Sequence, residues 1–286
     1  MASKKSTSNK HYPVVRSAEL SGTAENTALR ILQVDRELSK LNRRLYRMGR
    51  YYQAKIDMRP TGDGLYEVYA LRDDWAVQKA FQMAYANYVK NVSDEKADMS
   101  SVQLARWADF RVSPGATGAL LFAKLHQIDT TAVILNTGEF ELANVVDSAG
   151  ATRTFTWSDS PGSSEYSMLN EYDRAADAQG APSNFSAPGP YEGIDELRDA
   201  ATYDHLEGDG NNPPYNANTV NQTSPFVRIA TLGAAAGVQK LSTGFFTAPC
   251  GIVLIVGPNA SWNSDLMSMT VKSGDYKGVH APSMLE

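Results

Sequence analysis

Seven apolar residues between positions 31 and 52 recur at alternating spacings of three and four residues. They are Ile31, Val34, Leu38, Leu41, Leu45, Met48 and Tyr52. Because this spacing returns to one face of an α-helix over three heptads, it predicts a long helix with an apolar seam along one side. An apolar seam needs a covering surface, so we expect these residues to form a contact between subunits. Packing on the chain's own sheet is the alternative.

Basic residues accumulate on the opposite side of this helix and in the segment before it. Residues 1–60 hold 13 Lys/Arg and 5 Asp/Glu, whereas residues 61–286 hold 14 Lys/Arg and 27 Asp/Glu. We interpret residues 1–24, which are small and polar, as a basic flexible arm. Such positive charge neutralises phosphate without reading sequence. The residues predicted to bind nucleic acid are Lys4, Lys5, Lys10, Arg16, Arg43, Arg44, Arg47 and Arg50.

Beyond the predicted helix, most apolar runs have the length and alternation of strands. The predicted strands are 65–71, 120–126, 131–135, 140–146, 152–157, 226–232, 238–246, 250–256 and 266–272. Run 250–256 is continuously apolar, so both of its faces should be buried. Helical spacing of aromatic and apolar residues from Trp75 to Val92 predicts a second helix, which Asp73 or Asp74 can cap. A short third helix is predicted at 102–107.

These elements predict a mainly β protein with added helices: an antiparallel β-sandwich of the jelly-roll type, preceded by an N-terminal helical segment. Strands do not alternate regularly with helices, which argues against a doubly wound α/β sheet. We divide the chain into the arm at 1–24, a helical segment with one strand at 25–112, and a sandwich body at 113–286. The body carries a long surface insertion at 158–224.

The insertion is rich in Ser, Gly, Pro, Asn and Asp, which is typical of functional or disordered loops. One short helix is expected at 192–203. Asp204, Glu207 and Asp209 gather oxygen ligands for which Ca²⁺ is a conceivable partner. Their spacing is not that of an EF-hand loop, so a solvated acidic turn is the expectation and no cofactor is predicted.

The chain lacks the motifs of the common catalytic and nucleotide-binding sites. Cys250 is the only cysteine, so neither an intrachain disulfide nor a zinc site built on cysteines is possible within the chain. It precedes the most apolar strand, and we interpret it as a buried, inert thiol. No run of eighteen apolar residues occurs, so no membrane partner is expected. We therefore expect a protein that is not an enzyme.

Four stretches resemble parts of the coat proteins of small viruses, particularly those of environmental circular single-stranded DNA viruses. They are 66–80 (YEVYALRDDWAVQKA), 105–112 (ARWADFRV), 238–252 (VQKLSTGFFTAPCGI) and 274–279 (GDYKGV). The resemblance covers about a fifth of the chain. It implies a jelly-roll subunit that self-assembles in many copies into an icosahedral shell around a genome.

The favoured hypothesis is accordingly a viral capsid protein. Its basic N-terminal segment would face inward toward a single-stranded genome, and its insertion would lie outside, where a host receptor could bind. The first ten residues lack the apolar stretch of a secretory signal, so synthesis inside the host cell and residence in the virion are expected. One alternative is a phage tail, fibre or baseplate protein trimerised by the heptad helix. A second is a carbohydrate-binding sandwich.

Overall fold

The structure is a computed structural model that describes eleven segments of the chain. The described residues are 13–22, 29–59, 63–97, 109–114, 123–127, 143–146, 150–158, 163–177, 225–235, 240–257 and 266–285. The strands are β1 Ser17–Gly22, β2 Leu29–Gln33, β3 Tyr51–Arg59, β4 Gly64–Leu71, β5 Ala123–Gln127, β6 Asn144–Val146, β7 Thr152–Thr156, β8 Glu165–Ser167, β9 Phe226–Ala234, β10 Leu241–Pro249, β11 Ile252–Val256 and β12 Leu266–Val271. The helices are α1 Val34–Asn42, α2 Trp75–Ala97 and α3 Met168–Asp177.

Nine strands form one continuous sheet that folds over on itself. Their order is β10-β3-β12-β1-β5-β2-β11-β4-β9. All described neighbours in it pair antiparallel except β2 and β5, which pair parallel. β10, at one end, lies against β9 and β4 at the other end. The prediction of a mainly β protein with antiparallel sheets packed as a sandwich is confirmed.

The inner core lies between the two halves of this sheet. In β3, Tyr52, Ala54 and Ile56 are fully buried while the residues between them are partly exposed, which is the period of two that one buried face requires. β12 alternates in the same way, with Met267, Met269 and Val271 directed inward. The period of the apolar residues placed β12 correctly, whereas β3 was not among the predicted strands.

A second core covers the outer face of β2, β11 and β4. It is built by α2, by α3 and by a small sheet in the order β6-β7-β8. Phe81, Phe110 and Trp157 form its aromatic centre, with the Phe81 and Phe110 ring centroids 5.4 Å apart. β11 separates the two cores: Val253 and Ile255 belong to the inner one, and Ile252 and Leu254 to the outer one. The expectation that both faces of this strand are buried is confirmed.

Several local predictions are also confirmed. The aromatic stripe from Trp75 lies on α2, and the Asp74 carboxylate accepts a hydrogen bond from the Val77 amide at 2.9 Å, which caps the helix. β6 and β7 pair antiparallel, as the predicted hairpin requires. Cys250 is fully buried, and burial raises the pKa of its thiol well above the ordinary value.

The predicted long helix at Ile31–Tyr52 is wrong. Its residues form the end of β2, the nine-residue α1, an irregular loop at 43–50 and the start of β3. α1 ends because Arg43 adopts a left-handed backbone with φ of 48°. Spacings of three and four residues arise here from burial in successive elements, and a helix is only one way to produce them.

The seam residues are consequently buried within this chain. Ile31, Val34, Leu38, Leu45, Met48 and Tyr52 are buried and Leu41 is partly buried. Ile31 and Met48 belong to the outer core, whereas Val34, Leu38 and Tyr52 belong to the inner core. These side chains therefore offer no apolar ridge to a second copy, which corrects the predicted subunit interface.

The predicted division at residue 112 also needs correction. Residues 25–112 supply β2, β3 and β4 in place of one strand, and residues 17–22 of the predicted arm form β1. These strands alternate in the sheet with β5 and β9–β12, which come from residues 113–286, so both parts build the same sandwich. Strand pairing over long sequence separations leaves no trace in local composition.

Some predictions lie outside the described residues. They are the short helices at 102–107 and 192–203, the strand at 131–135, and Asp204, Glu207 and Asp209. Of the insertion at 158–224, the described residues 163–177 form β8 and α3. Within the described part of the chain, no three His, Cys, Asp or Glu side chains are grouped to hold a metal ion. No helix among the described residues has the length and apolarity of a membrane span.

Candidate nucleic-acid interface

The loop that follows α1 carries four of the arginines predicted to bind nucleic acid. Ser39, in the last turn of α1, holds this loop against the helix. Its hydroxyl donates to the Asp35 carbonyl at 2.7 Å and accepts the Tyr46 amide at 2.8 Å. The Arg44 amide donates to the Ser39 carbonyl at 3.2 Å. The chain thus turns back sharply, and Arg43, Arg44 and Arg47 are exposed.

A tight turn near the C-terminal end faces this loop. Tyr276 and Val279 exchange two backbone hydrogen bonds, of 3.1 and 2.9 Å, around Lys277 and Gly278. Both central residues have positive φ, 49° and 92°, which is the pattern of a type I′ turn. Lys277 extends from the turn, and its ammonium donates to the Leu45 carbonyl of the arginine loop.

The Tyr276 ring joins the turn to the arginine loop. The Arg50 guanidinium carbon lies 3.5 Å from the ring centroid, a cation–π contact, and Arg50 Nη1 also donates to the Ala281 carbonyl at 2.8 Å. The Tyr276 hydroxyl accepts the Arg47 amide at 3.1 Å. Tyr46 packs edge-on against the same ring at 6.0 Å, and its hydroxyl donates to the Lys277 carbonyl at 2.9 Å. The Tyr276 ring therefore orients the Arg50 guanidinium, and the two tyrosine hydroxyls tie the backbones of the loop and the turn together.

The N-terminal segment joins the body beside this turn. Asn42 clamps it, because its amide group accepts the Val15 amide at 2.8 Å and donates to the Val15 carbonyl at 2.9 Å. Arg16 Nη1 donates to the Gly278 carbonyl at 3.3 Å. The residues before Pro13, which include Lys4, Lys5 and Lys10, lie outside the described part of the chain.

We call Arg16, Arg44, Arg47, Arg50 and Lys277 the basic patch. Its members influence one another electrostatically: burial first, and then the positive charges of Arg47, Arg50 and Arg44, lower the pKa of Lys277. The negative charge of Asp109 opposes this shift. The patch is therefore a region of net positive charge in which an anion would relieve repulsion.

Asp109 anchors the patch to the interior. Its carboxylate accepts the Met48 amide at 2.9 Å and pairs with Arg47 at 3.4 Å. The Asp109 carboxylate lies 3.7 Å from Arg111 Nη1, and that guanidinium lies 2.7 Å from the fully buried Asp35 carboxylate. Burial raises the pKa of Asp35 and of Asp109 above the ordinary value of 3.8, although Arg111 opposes the shift in each. A chain of alternating charges thus runs from the core to the patch.

The structure brings together four of the eight residues predicted to bind nucleic acid: Arg16, Arg44, Arg47 and Arg50. Arg43 is exposed at the end of α1, and the three lysines lie outside the described residues. The four arginines from Arg43 to Arg50 were expected on one helical face, whereas the loop between α1 and β3 carries them. Sequence reasoning missed Lys277 and Tyr276, which are over two hundred positions away in the chain. The Lys-Gly pair at 277–278 was the available signal, since a glycine there favours a tight turn.

Gly274, before the turn, lets the chain pass close to His280, after the turn. We expect Gly274→Ala to disturb this close approach. A Cβ at this position would lie 2.6 Å from His280 Cα, which is backbone and must shift. We expect a loss of at least about 1 kcal/mol in the free energy of unfolding, measured by urea denaturation. Gly233→Ala is the control, because a Cβ there meets nothing within 4 Å. Equal stabilities of the two variants would contradict the close approach.

The fold and the patch together define a two-layered β-sandwich protein with a basic surface framed by tyrosines. No family model, curated protein or solved structure matches the chain. The function is therefore argued from the fold and the site.

Proposed function

We propose that this chain is a viral capsid protein that assembles in many copies into an icosahedral shell and encloses a single-stranded genome. One observation carries the proposal: the basic patch lies on the body of a β-sandwich, directly where the basic N-terminal segment joins it. The segment and the patch can then contact the same polyanion. A shell subunit needs this arrangement, with its positive charge concentrated on the surface that faces the genome.

The order of strands supports a jelly-roll topology within this proposal. β2, β11, β4 and β9 are neighbours in one half of the sandwich, and β3 and β10 are neighbours in the other. The chain crosses between the halves from β2 to β3, β3 to β4, β9 to β10 and β10 to β11. Jelly rolls, including those of viral capsids, are double-sheet antiparallel structures with Greek-key connections. β1, β5 and β12 are additions that extend one half and link it to the other.

One of the two alternatives loses support. A tail or fibre protein was inferred from a trimerising heptad helix, and residues 31–52 do not form that helix. A carbohydrate-binding sandwich would use the insertion at 158–224, of which the structure describes residue 158 and residues 163–177, so this alternative stays a prediction. In the proposed shell, copies would meet through surfaces other than the buried seam.

Electron microscopy of the purified protein tests the proposal. We expect closed particles of uniform diameter at high protein concentration, with single-stranded nucleic acid favouring their formation because it screens the mutual repulsion of the patches. The same preparation without nucleic acid is the control. Monodisperse small oligomers in both preparations, shown by mass measurement in solution, would argue against a capsid protein.

A further inference from the structure

The turn at 276–279 places the Lys277 ammonium against the arginine loop, close enough to Arg44, Arg47 and Arg50 for their charges to act on it. A lysine with φ of 49° is uncommon, and Gly278 and the paired Tyr276 and Val279 backbones hold it in that conformation. The Leu45 carbonyl accepts one of the three N–H donors of Lys277. The remaining donors of this group can serve an oxygen-rich ligand.

We propose that Lys277, with Arg44, Arg47 and Arg50, forms a phosphate-binding site for the backbone of single-stranded nucleic acid. This inference rests on the proposed function for the nature of its ligand. It adds Lys277 to three arginines that the sequence predicted to bind nucleic acid and joins the four in one site on the folded body.

The chemistry of the patch favours phosphate. Arginine side chains present planar forks that match phosphate oxygens, and lysine supplies a point charge. Arg50 is already oriented by its stack on Tyr276, so binding a phosphate there costs less side-chain freedom. Because the cations lie on both the loop and the turn, successive phosphates of one strand can be bound. The proposed contacts are with phosphate groups, so the site should not distinguish base sequence.

Binding of a labelled oligo(dT) of about twenty nucleotides, followed by fluorescence anisotropy over a range of salt concentrations, tests the site. We expect Lys277→Gln to weaken binding about three- to tenfold at ~0.1 M salt and to lower the salt slope by about 0.7. Arg44→Gln should act similarly. It is a second variant at an exposed residue, so a folding defect in Lys277→Gln does not decide the result.

Lys79→Gln is the matched control, because it removes one positive charge from the exposed side of α2. We expect it to leave affinity and slope nearly unchanged. Equal effects of the Lys277, Arg44 and Lys79 substitutions would overturn the site. Displacement of the oligonucleotide by inorganic phosphate at the same phosphate concentration would assign the site to free phosphate and also overturn the proposal.

The outcome is independent of the test of the proposed function. Particles that form normally while Lys277→Gln and Arg44→Gln bind like the control would refute this site and leave the capsid proposal standing. If both variants bind more weakly but the protein never forms particles, the nucleic-acid site is supported and the capsid proposal is not.

Discussion

Replacing Arg111 by methionine is expected to lower the free energy of unfolding by about 3–5 kcal/mol. Arg111 Nη1 lies 2.7 Å from an Asp35 carboxylate oxygen, and the two side chains are 3% and 0% exposed. Removing the guanidinium leaves the Asp35 carboxylate buried without its neighbouring positive charge. The substitution also removes the 3.7 Å contact between Arg111 and Asp109. Asp109 holds the arginine loop by accepting the Met48 amide.

The loss of stability caused by Arg111→Met should become smaller as the pH falls. Burial already raises the pKa of Asp35 above 3.8, and without Arg111 that pKa rises further. When the pKa of a carboxyl is higher in the folded state, the folded protein binds more protons than the unfolded protein. The free energy of unfolding therefore decreases as the pH rises from 3.8 through the folded-state pKa. Urea denaturation at about pH 7 and about pH 5, followed by tryptophan fluorescence, measures both effects.

Arg228→Met is the matched control for Arg111→Met. Arg228 lies 2.6 Å from the Glu67 carboxylate, but its side chain is 57% exposed. Water solvates both partners when that pair is broken, so we expect only a small change in stability. Comparable losses in the two variants would contradict the view that burial makes the Asp35–Arg111 pair important. A pH-independent loss in Arg111→Met would contradict the assigned role of Asp35.

Replacing Leu38 by alanine is expected to lower the free energy of unfolding by about 2–5 kcal/mol. Leu38 is fully buried in the inner core, so the truncation removes apolar contacts and leaves a cavity between the two halves of the sandwich. Because its neighbours belong to the same chain, the loss should not depend on protein concentration. Denaturant melts at several protein concentrations measure this directly.

Leu41→Ala makes the same chemical change at a seam residue that is only partly buried. We expect a smaller loss there, since less apolar surface is withdrawn from water in the folded state. If the effect of Leu38→Ala instead grew on dilution, the seam would be a contact between copies. That result would restore the original interpretation of residues 31–52.

The parts of the fold that the sequence revealed are those where local pattern and burial coincide. β11 is apolar throughout because two cores lie against it, and α2 shows its period because one face packs on the aromatic centre. Asp74 caps α2 through an interaction within one turn of chain. Such features depend on near neighbours, so they can be predicted without knowing the rest of the structure.

Only part of the candidate site could be predicted from the sequence. Arg44, Arg47 and Arg50 stand out as a cluster because they are close in the chain. Lys277 and Tyr276 join them only because the C-terminal turn packs against the loop after α1. Nothing within a few residues of Lys277 in the sequence indicates that partner.

The sequence by itself determined that the protein is mainly β, that most apolar runs after residue 64 become strands, and that positive charge collects at the N-terminal end. Only the tertiary structure decided that the residues of the apolar seam are divided among strands, a short helix and a loop. It also decided that they are buried within their own chain. Periodic spacing reports that side chains are withdrawn from water, whereas the surface that covers them depends on strand pairing between distant segments. The basic patch follows the same rule, since that pairing brings a turn at residue 277 to a loop at residue 45.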